Sequence, residues 1–184
     1  MVSLADVSHA PATVYTIGHS TRPIDVFVSL LAAQQIATLI DVRRFPGSRR
    51  HPQFGSDALA ASLRSAGINY AHVVDLGGRR DPAPDSINTG WRLDAFRGYA
   101  DYMETPQFHR GVTSALSLQS PLVFMCAEAL WWRCHRSLIS DYLTAGGIEV
   151  RHILDAGVTI HTGTTPAVIT PGSLSYSAPQ GDLF

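Results

Sequence analysis

"PLVFMCAEALWWRCHRSLISDYLTAGG", residues 121–147, decides the fold. It opens on an unbroken apolar run of the length of a strand buried on both faces. A polar and aromatic loop follows. Then Leu138, Ile139, Tyr142 and Leu143 recur at helical spacing, and two glycines close the segment. Strand, loop and helix in that order make half of a βαβ unit, and "IEVRHIL" directly after it reads as the next strand.

The same alternation runs upstream. "TVYTIGHS" predicts a strand over residues 14–17, broken at glycine, and "RPIDVFVSLLAAQQ" predicts a helix with Ile24, Phe27, Val28 and Leu31 on one face. "ATLIDVRRFP" predicts a second buried strand ending near Val42. "SDALAASLRSAG" predicts a short helix starting at Ser56 and stopped by Gly67, and "INYAHVVDLGG" a third strand. Residues 79–89 are rich in Pro, Asp and Gly and read as a loop. "FRGYADYMETPQFHRGVTSALSLQ" reads as helix in two pieces, with Pro106 opening the second, and "GVTIHT" completes the sheet. The expectation is a single-domain α/β fold: a mostly parallel sheet with helices on both faces, in a Rossmann-like three-layer arrangement. Residues 1–12 form an N-terminal extension, 13–161 the body, and 162–184, rich in Pro, Ser, Thr and Gly, a flexible tail.

At 184 residues with 45% hydrophobic content, the chain can bury one full core. No apolar run reaches the ~20 residues of a membrane span, and the N-terminus lacks a basic segment followed by an apolar one. Two cysteines eight positions apart do not make a secreted disulfide scaffold, so a cytoplasmic protein with reduced thiols is expected. The net charge of −1 speaks against a generally basic nucleic-acid binder. All 14 cations are arginine, however, and Arg43, Arg44, Arg49, Arg50, Arg79, Arg80, Arg133 and Arg136 cluster after the expected strands. The guanidinium fork suits phosphate and carboxylate.

In a parallel sheet the carboxyl ends of the strands share one edge, where ligands bind. Here those ends read "GHS", "DVRRFPGSRR", "DLGGRR" and "CAEALWWRCHR". Cys126 falls at a strand end, and Cys134, His135 and Arg136 are expected in the first turn of the next helix, where backbone N–H groups favour an anion and a thiolate. The candidate catalytic groups are Cys126, Glu128, His135 and His19. The candidate substrate-binding groups are Ser20, Asp41, Arg43, Arg133, Cys134 and Arg136. Asp41 and Arg43 alternate around Val42 and so share one side of their strand. Each group also has a plain structural alternative: apolar core for the cysteines, and buried ion pairs for Asp41 with Arg43 and for Glu128 with Arg136. The Cys-x5-Arg spacing of a cysteine phosphatase fails by one residue, since Trp132 stands where the arginine belongs. Cys126, Cys134, His135 and His19 are residue types that could hold zinc, but no Cys-x-x-Cys pair is present and no metal is assigned.

The ordered motifs "YTIGHS", "LIDVRRFPGSRRHPQF", "GINYAHVVDLGGRR", "FRGYADYM" and "MCAEALWWRCHRSLI" resemble the domain-of-unknown-function family 488 (DUF488) over residues 14–154. The resemblance implies an α/β fold and a cytoplasmic, bacterial-type protein, and it brings no reaction with it. Its motif positions are His19, Ser20, Asp41, Arg43, Pro46, Cys126, Glu128, Cys134, His135 and Arg136. The short "IDVR" strand is similar to rhodanese-type sulfurtransferases.

The chain ends "APQGDLF", in which Gln180, Asp182, Leu183 and Phe184 resemble the peptide that docks on the bacterial sliding clamp, with Gly181 where leucine is preferred. A terminal position suits such a peptide, because the apolar pair can enter a pocket while the tail adapts. The expected function is therefore binding, and processing, of a phosphate-bearing substrate, either nucleic acid or nucleotide, in a repair or replication setting. The reaction class, hydrolase or transferase, stays open, and no cofactor is assigned. The alternatives are a non-catalytic clamp-associated binding module and rhodanese-like sulfur transfer through Cys126.

Overall fold

The computed structural model describes residues 10–47 and 50–177. A six-stranded sheet contains β1 (Thr13–Gly18), β2 (Thr38–Asp41), β3 (Asn69–His72), β4 (Leu122–Cys126), β5 (Glu149–Leu154) and β6 (Gly157–Ile160), in the order β3-β2-β4-β1-β5-β6. All neighbours are parallel except β6, which returns antiparallel along β5. The helices are α1 (Ile24–Ala33), α2 (Ser56–Ser65), α3 (Asp94–Met103), α4 (Pro106–Leu116) and α5 (Arg136–Ala145).

Crossover handedness explains the three layers. The connections through α1 and α2 step toward the β3 edge, whereas those through α3–α4 and α5 step back toward β6. Right-handed crossovers in opposite directions place their helices on opposite faces. Phe27, Leu31, Leu59 and Leu63 of α1 and α2 accordingly pack on Ile17, Leu39, Val123 and Met125. Phe108, Leu138, Tyr142 and Leu143 pack on Ile40, Leu122 and Phe124 from the other side. Side chains alternate along a strand, so Cys126 shares the Leu122 and Phe124 face and turns toward α5. Among the described residues no helix is long and apolar enough to cross a membrane.

Three local expectations change. The third strand covers only Asn69–His72, because the chain winds into a 3-10 turn at Val74–Leu76. Helix α5 begins at Arg136, so Cys134 and His135 precede it. Trp131–Arg133 form a 3-10 turn, Cys134 is extended (φ −136°, ψ 149°), and His135 is the N-cap.

The stretch 162–177 does not leave the body as a tail. β7 (Val168–Thr170) and β8 (Ser173–Ser175) form a hairpin that leads to Tyr176, buried against Trp91. The cause lies in α5. Asp141 is fully buried and draws hydrogen bonds from His161 Nε2 (2.8 Å), Thr164 N (2.9 Å), Thr164 Oγ1 (2.5 Å) and Tyr176 Oη (2.9 Å). A buried carboxylate needs such donors, and most of these come from the segment that was expected to be free. Gln180, Asp182, Leu183 and Phe184 lie outside the described residues.

Candidate functional site

The register brings Gly18 beside Cys126 and Asp41 beside Met125, so β1, β2 and β4 end together. A cleft opens beyond those ends. Its inner lobe, about 270 Å³, has Cys126, Cys134 and His135 in its wall, and its outer lobe, about 570 Å³, reaches His19, Ser20 and Arg50. Arg43, Phe45, Arg79, Glu128 and Arg133 line both.

Cys126 (8% exposed) and Cys134 (4%) converge with His135, and one ligand atom of each lies within 4.8 Å of the others. Cys134 Sγ is 3.6 Å from His135 Nδ1. His135 Nε2 lies 3.0 Å from the Val42 carbonyl, which can only accept. Nε2 therefore carries the proton, and in the neutral ring the Nδ1 lone pair faces the sulfurs. Glycine at 78 allows this placement: a Cβ there would fall 2.8 Å from Nδ1 and 3.1 and 3.2 Å from its two ring neighbours, over the face of the ring. The two thiols titrate as a unit. A hydrogen bond to Cys134, reinforced by burial, pushes the Cys126 thiol well above its ordinary value. Burial opposes ionisation of Cys134, but the hydrogen bond from the Cys126 thiol, with Arg136 and, whenever it carries a second proton, His135 adding to it, outweighs that and holds this thiol well below its ordinary value. The two sulfurs share a proton through their hydrogen bond, and the titration belongs to the pair.

Four sequence-predicted groups form a second chain along the outer lobe. Arg43 grips Asp41 through Nε (2.8 Å) and Nη2 (2.5 Å), and Tyr70 Oη donates to the same carboxylate at 2.9 Å. Arg43 Nη1 points at His19 Nε2, 3.3 Å away. His19 Nδ1 donates to the Ser20 carbonyl at 2.8 Å, and the ring stacks on Phe54. Burial, more than the Ser20 carbonyl can offset, lowers the His19 pKa to about 4, so the ring is neutral at physiological pH. Asp41 is 0% exposed and its oxygens are occupied by these donors, so it holds Arg43 rather than a substrate. Asp41 and Arg43 do share one side of the strand, as their alternation predicts. Ser20 lines the outer lobe in the left-handed region (φ 51°).

Arg136 departs most from its expected role. It is 1% exposed, lines neither lobe, and points back into the sheet. Nη2 donates to the Glu128 carbonyl (2.5 Å) and Nη1 to Thr16 Oγ1 (3.3 Å), while Nε has no partner among the described residues. The expected Glu128–Arg136 side-chain pair does not form. The approach requires glycine at 18, where a Cβ would fall 1.8 Å from the Glu128 carbonyl oxygen. The Glu128 carboxylate is exposed at the junction of the lobes. The amides that open α5 are also committed: Ser137 N bonds to the Cys134 carbonyl, and Leu138 N and Ile139 N to that of His135. Positive charge in the cleft therefore comes from side chains rather than from the helix start.

Those side chains are Arg133, which was expected, and Arg44, Arg50 and Arg79, which were noticed only as part of the arginine clusters. All four are exposed on the cleft, and Arg44 Nη1 is anchored on the Arg79 carbonyl at 2.8 Å. Arg80, the neighbour of Arg79, is drawn away over the Tyr102 ring. The signal for Arg44 and Arg79 was present in "DVRRFP" and "DLGGRR", directly after two strands. A buried chain from Thr16 through His152 and His161 to Asp141 carried no such signal, since its members are scattered in sequence.

Fold and site together define a single-domain α/β protein with an arginine-lined, thiol-bearing cleft at the carboxyl edge of a mostly parallel sheet. The chain belongs to the family described as Domain of unknown function DUF488, whose model matches residues 23–143. That match includes Asp41, Arg43 and the whole segment from Cys126 to Arg136, and it begins after His19 and Ser20. No curated protein and no solved structure matches the chain.

Proposed function

We propose that the cleft binds a phosphate-bearing substrate, a nucleotide or single-stranded nucleic acid, and presents it to the Cys126, Cys134 and His135 cluster. One observation carries this reading: Arg44, Arg50, Arg79 and Arg133 surround the cleft while Glu128 is the one carboxylate among its lining residues. Among the described residues none of the four arginines is in an ion pair, so their charge is available to a ligand. A charge-assisted hydrogen bond from each contributes about 1.5–3 kcal/mol. Phe45, 64% exposed, supplies a flat apolar face beside them on which a base can stack.

The reacting end of the site is the inner lobe. The thiol pair is the candidate nucleophile, and His135 Nδ1, 3.6 Å from Cys134 Sγ, accepts the proton that the pair gives up. Sulfur transfer through Cys126 draws less support, because that sulfur is buried and hydrogen-bonded to Cys134. The C-terminal "QGDLF" adds a clamp-directed address in this reading. Removal of residues 180–184 should abolish clamp binding and leave oligonucleotide binding unchanged.

The test of the cleft is direct. A fluorescein-labelled oligothymidylate should bind the wild type, be displaced by inorganic pyrophosphate, and bind far more weakly to the Arg79→Ala/Arg133→Ala double variant. Equal binding by wild type and variant rejects the proposal.

A further inference from the structure

The three groups of the inner lobe also suit a second use. We propose that Cys126 Sγ, Cys134 Sγ and His135 Nδ1 bind one divalent transition-metal ion of the zinc type and leave a fourth position open to the cleft. The inference needs no phosphate ligand and stands apart from the reading of the arginines.

Donor type and spacing carry it. Two sulfurs and one imidazole nitrogen select a soft or borderline ion such as zinc over magnesium or calcium, which demand oxygen. At metal distances of about 2.3 Å for thiolate and 2.0–2.1 Å for imidazole, a tetrahedral site separates sulfur from nitrogen by roughly 3.5–3.6 Å. Cys134 Sγ and His135 Nδ1 stand 3.6 Å apart. The sulfur–sulfur edge of such a site, roughly 3.8 Å, falls inside the 4.8 Å within which all three atoms lie.

The surroundings are those of a metal ligand set. His135 donates its Nε2 proton to the Val42 carbonyl at 3.0 Å, which fixes the ring and leaves Nδ1 as the free lone pair. Gly78 on one side of the ring and Tyr99, with centroids 5.0 Å apart, hold its plane. All three residues line the inner lobe, so the ion would have a solvent-facing position, as in sites with three protein ligands and one exchangeable ligand. Two thiolates would balance the charge of the ion, which suits a wall in which both cysteines are buried.

The sequence offers these residue types as possible zinc ligands together with His19, but their motif is divided. Cys126 closes a strand and Cys134 ends a 3-10 turn eight residues on, so no Cys-x-x-Cys pair appears.

The full-length protein, reduced, stripped with a chelator and desalted, is titrated with Co2+ as an optical stand-in for Zn2+. One equivalent should bring up a thiolate-to-cobalt charge-transfer band together with the visible bands of a tetrahedral ion, and Zn2+ should bleach both. Cys134→Ser and His135→Gln should each weaken binding by more than the roughly 10–100-fold that loss of an outer-shell partner causes. Glu128→Ala, at the cleft but outside the ligand set, should leave the spectrum unchanged. Should the ligand variants fold poorly, the wild type still decides: Zn2+ should protect both cysteines from alkylation, and chelator should restore it. Absence of the charge-transfer band, or alkylation at the same rate with and without Zn2+, overturns the proposal.

Discussion

The salt dependence of oligonucleotide binding puts a number on the cleft. Four arginines, Arg44, Arg50, Arg79 and Arg133, face it without an acidic partner among the described residues, and Glu128 opposes them, so three to four phosphates can be neutralised. For single strands the logarithm of the binding constant falls with that of salt by about 0.7 per neutralised phosphate, a slope of roughly −2 to −3 here. Between 50 and 200 mM salt, affinity should therefore drop about 20–50-fold. Arg79→Ala with Arg133→Ala removes two contacts, flattens the slope to roughly −0.7 to −1.4, and leaves a drop of only about 3–7-fold. Fluorescence anisotropy of a labelled oligothymidylate across a salt series measures both slopes. Parallel lines for wild type and variant would refute the assignment, because the lost charges would then never have met phosphate. The choice of arginines follows from burial: Arg43 and Arg136, 6% and 1% exposed, serve the scaffold.

Other outcomes follow from the same contacts. Arg43→Ala leaves the fully buried Asp41 without its cation and should destabilise the domain by about 3–5 kcal/mol, read as a lowered urea midpoint. Acidification should weaken the fold from pH 6.5 downward: burial lowers His19 to about 4, next to Arg43, Asp41 and His51, and His152 to about 3, next to His161 and Arg136, so the unfolded chain binds protons first. The His19 share is about 3 kcal/mol at most, is fully present above pH 6.5, and is gone below about pH 4; a urea midpoint that stays flat from pH 7.5 to 5 contradicts it. Asp141→Asn gives four donors a neutral amide to bond and should release the 162–176 segment, detectable as new proteolytic cleavage there while the sheet stays protected.

What the sequence reveals follows the range of the forces involved. The run from Leu122 to Cys126 is apolar because both faces of β4 are covered, so the strand, its end and the thiol placed there are all legible locally. The start of α5 is not legible, because His135 caps it without a side-chain hydrogen bond and the usual Ser, Thr, Asp or Asn signal is missing. The hairpin at β7 and β8 escapes notice for a different reason. Its composition is that of a tail, and what holds it is Asp141, more than twenty positions earlier and hidden inside α5. Arginines are the hardest to sort. Arg43 and Arg44 are adjacent just past the strand, yet one is buried on Asp41 in the wall of the cleft and the other is exposed on it.

Arg136 ties scaffold and chemistry together. Burying a guanidinium without a carboxylate is expensive, and the two protein oxygens that it meets, the Glu128 carbonyl and Thr16 Oγ1, are neutral. The thiol pair lies within its field, and the cation acts to lower both sulfurs. Gly18 admits the guanidinium, the guanidinium pins the loop carbonyl at 128, and that loop sets the distance between Cys126 at its start and Cys134 near its end. A lysine at this position could hold one carbonyl but could not reach both oxygens with a fixed planar fork. The buried charge therefore does two jobs from one place: it shapes the loop that brings the sulfurs together and adds to the field that favours their ionisation.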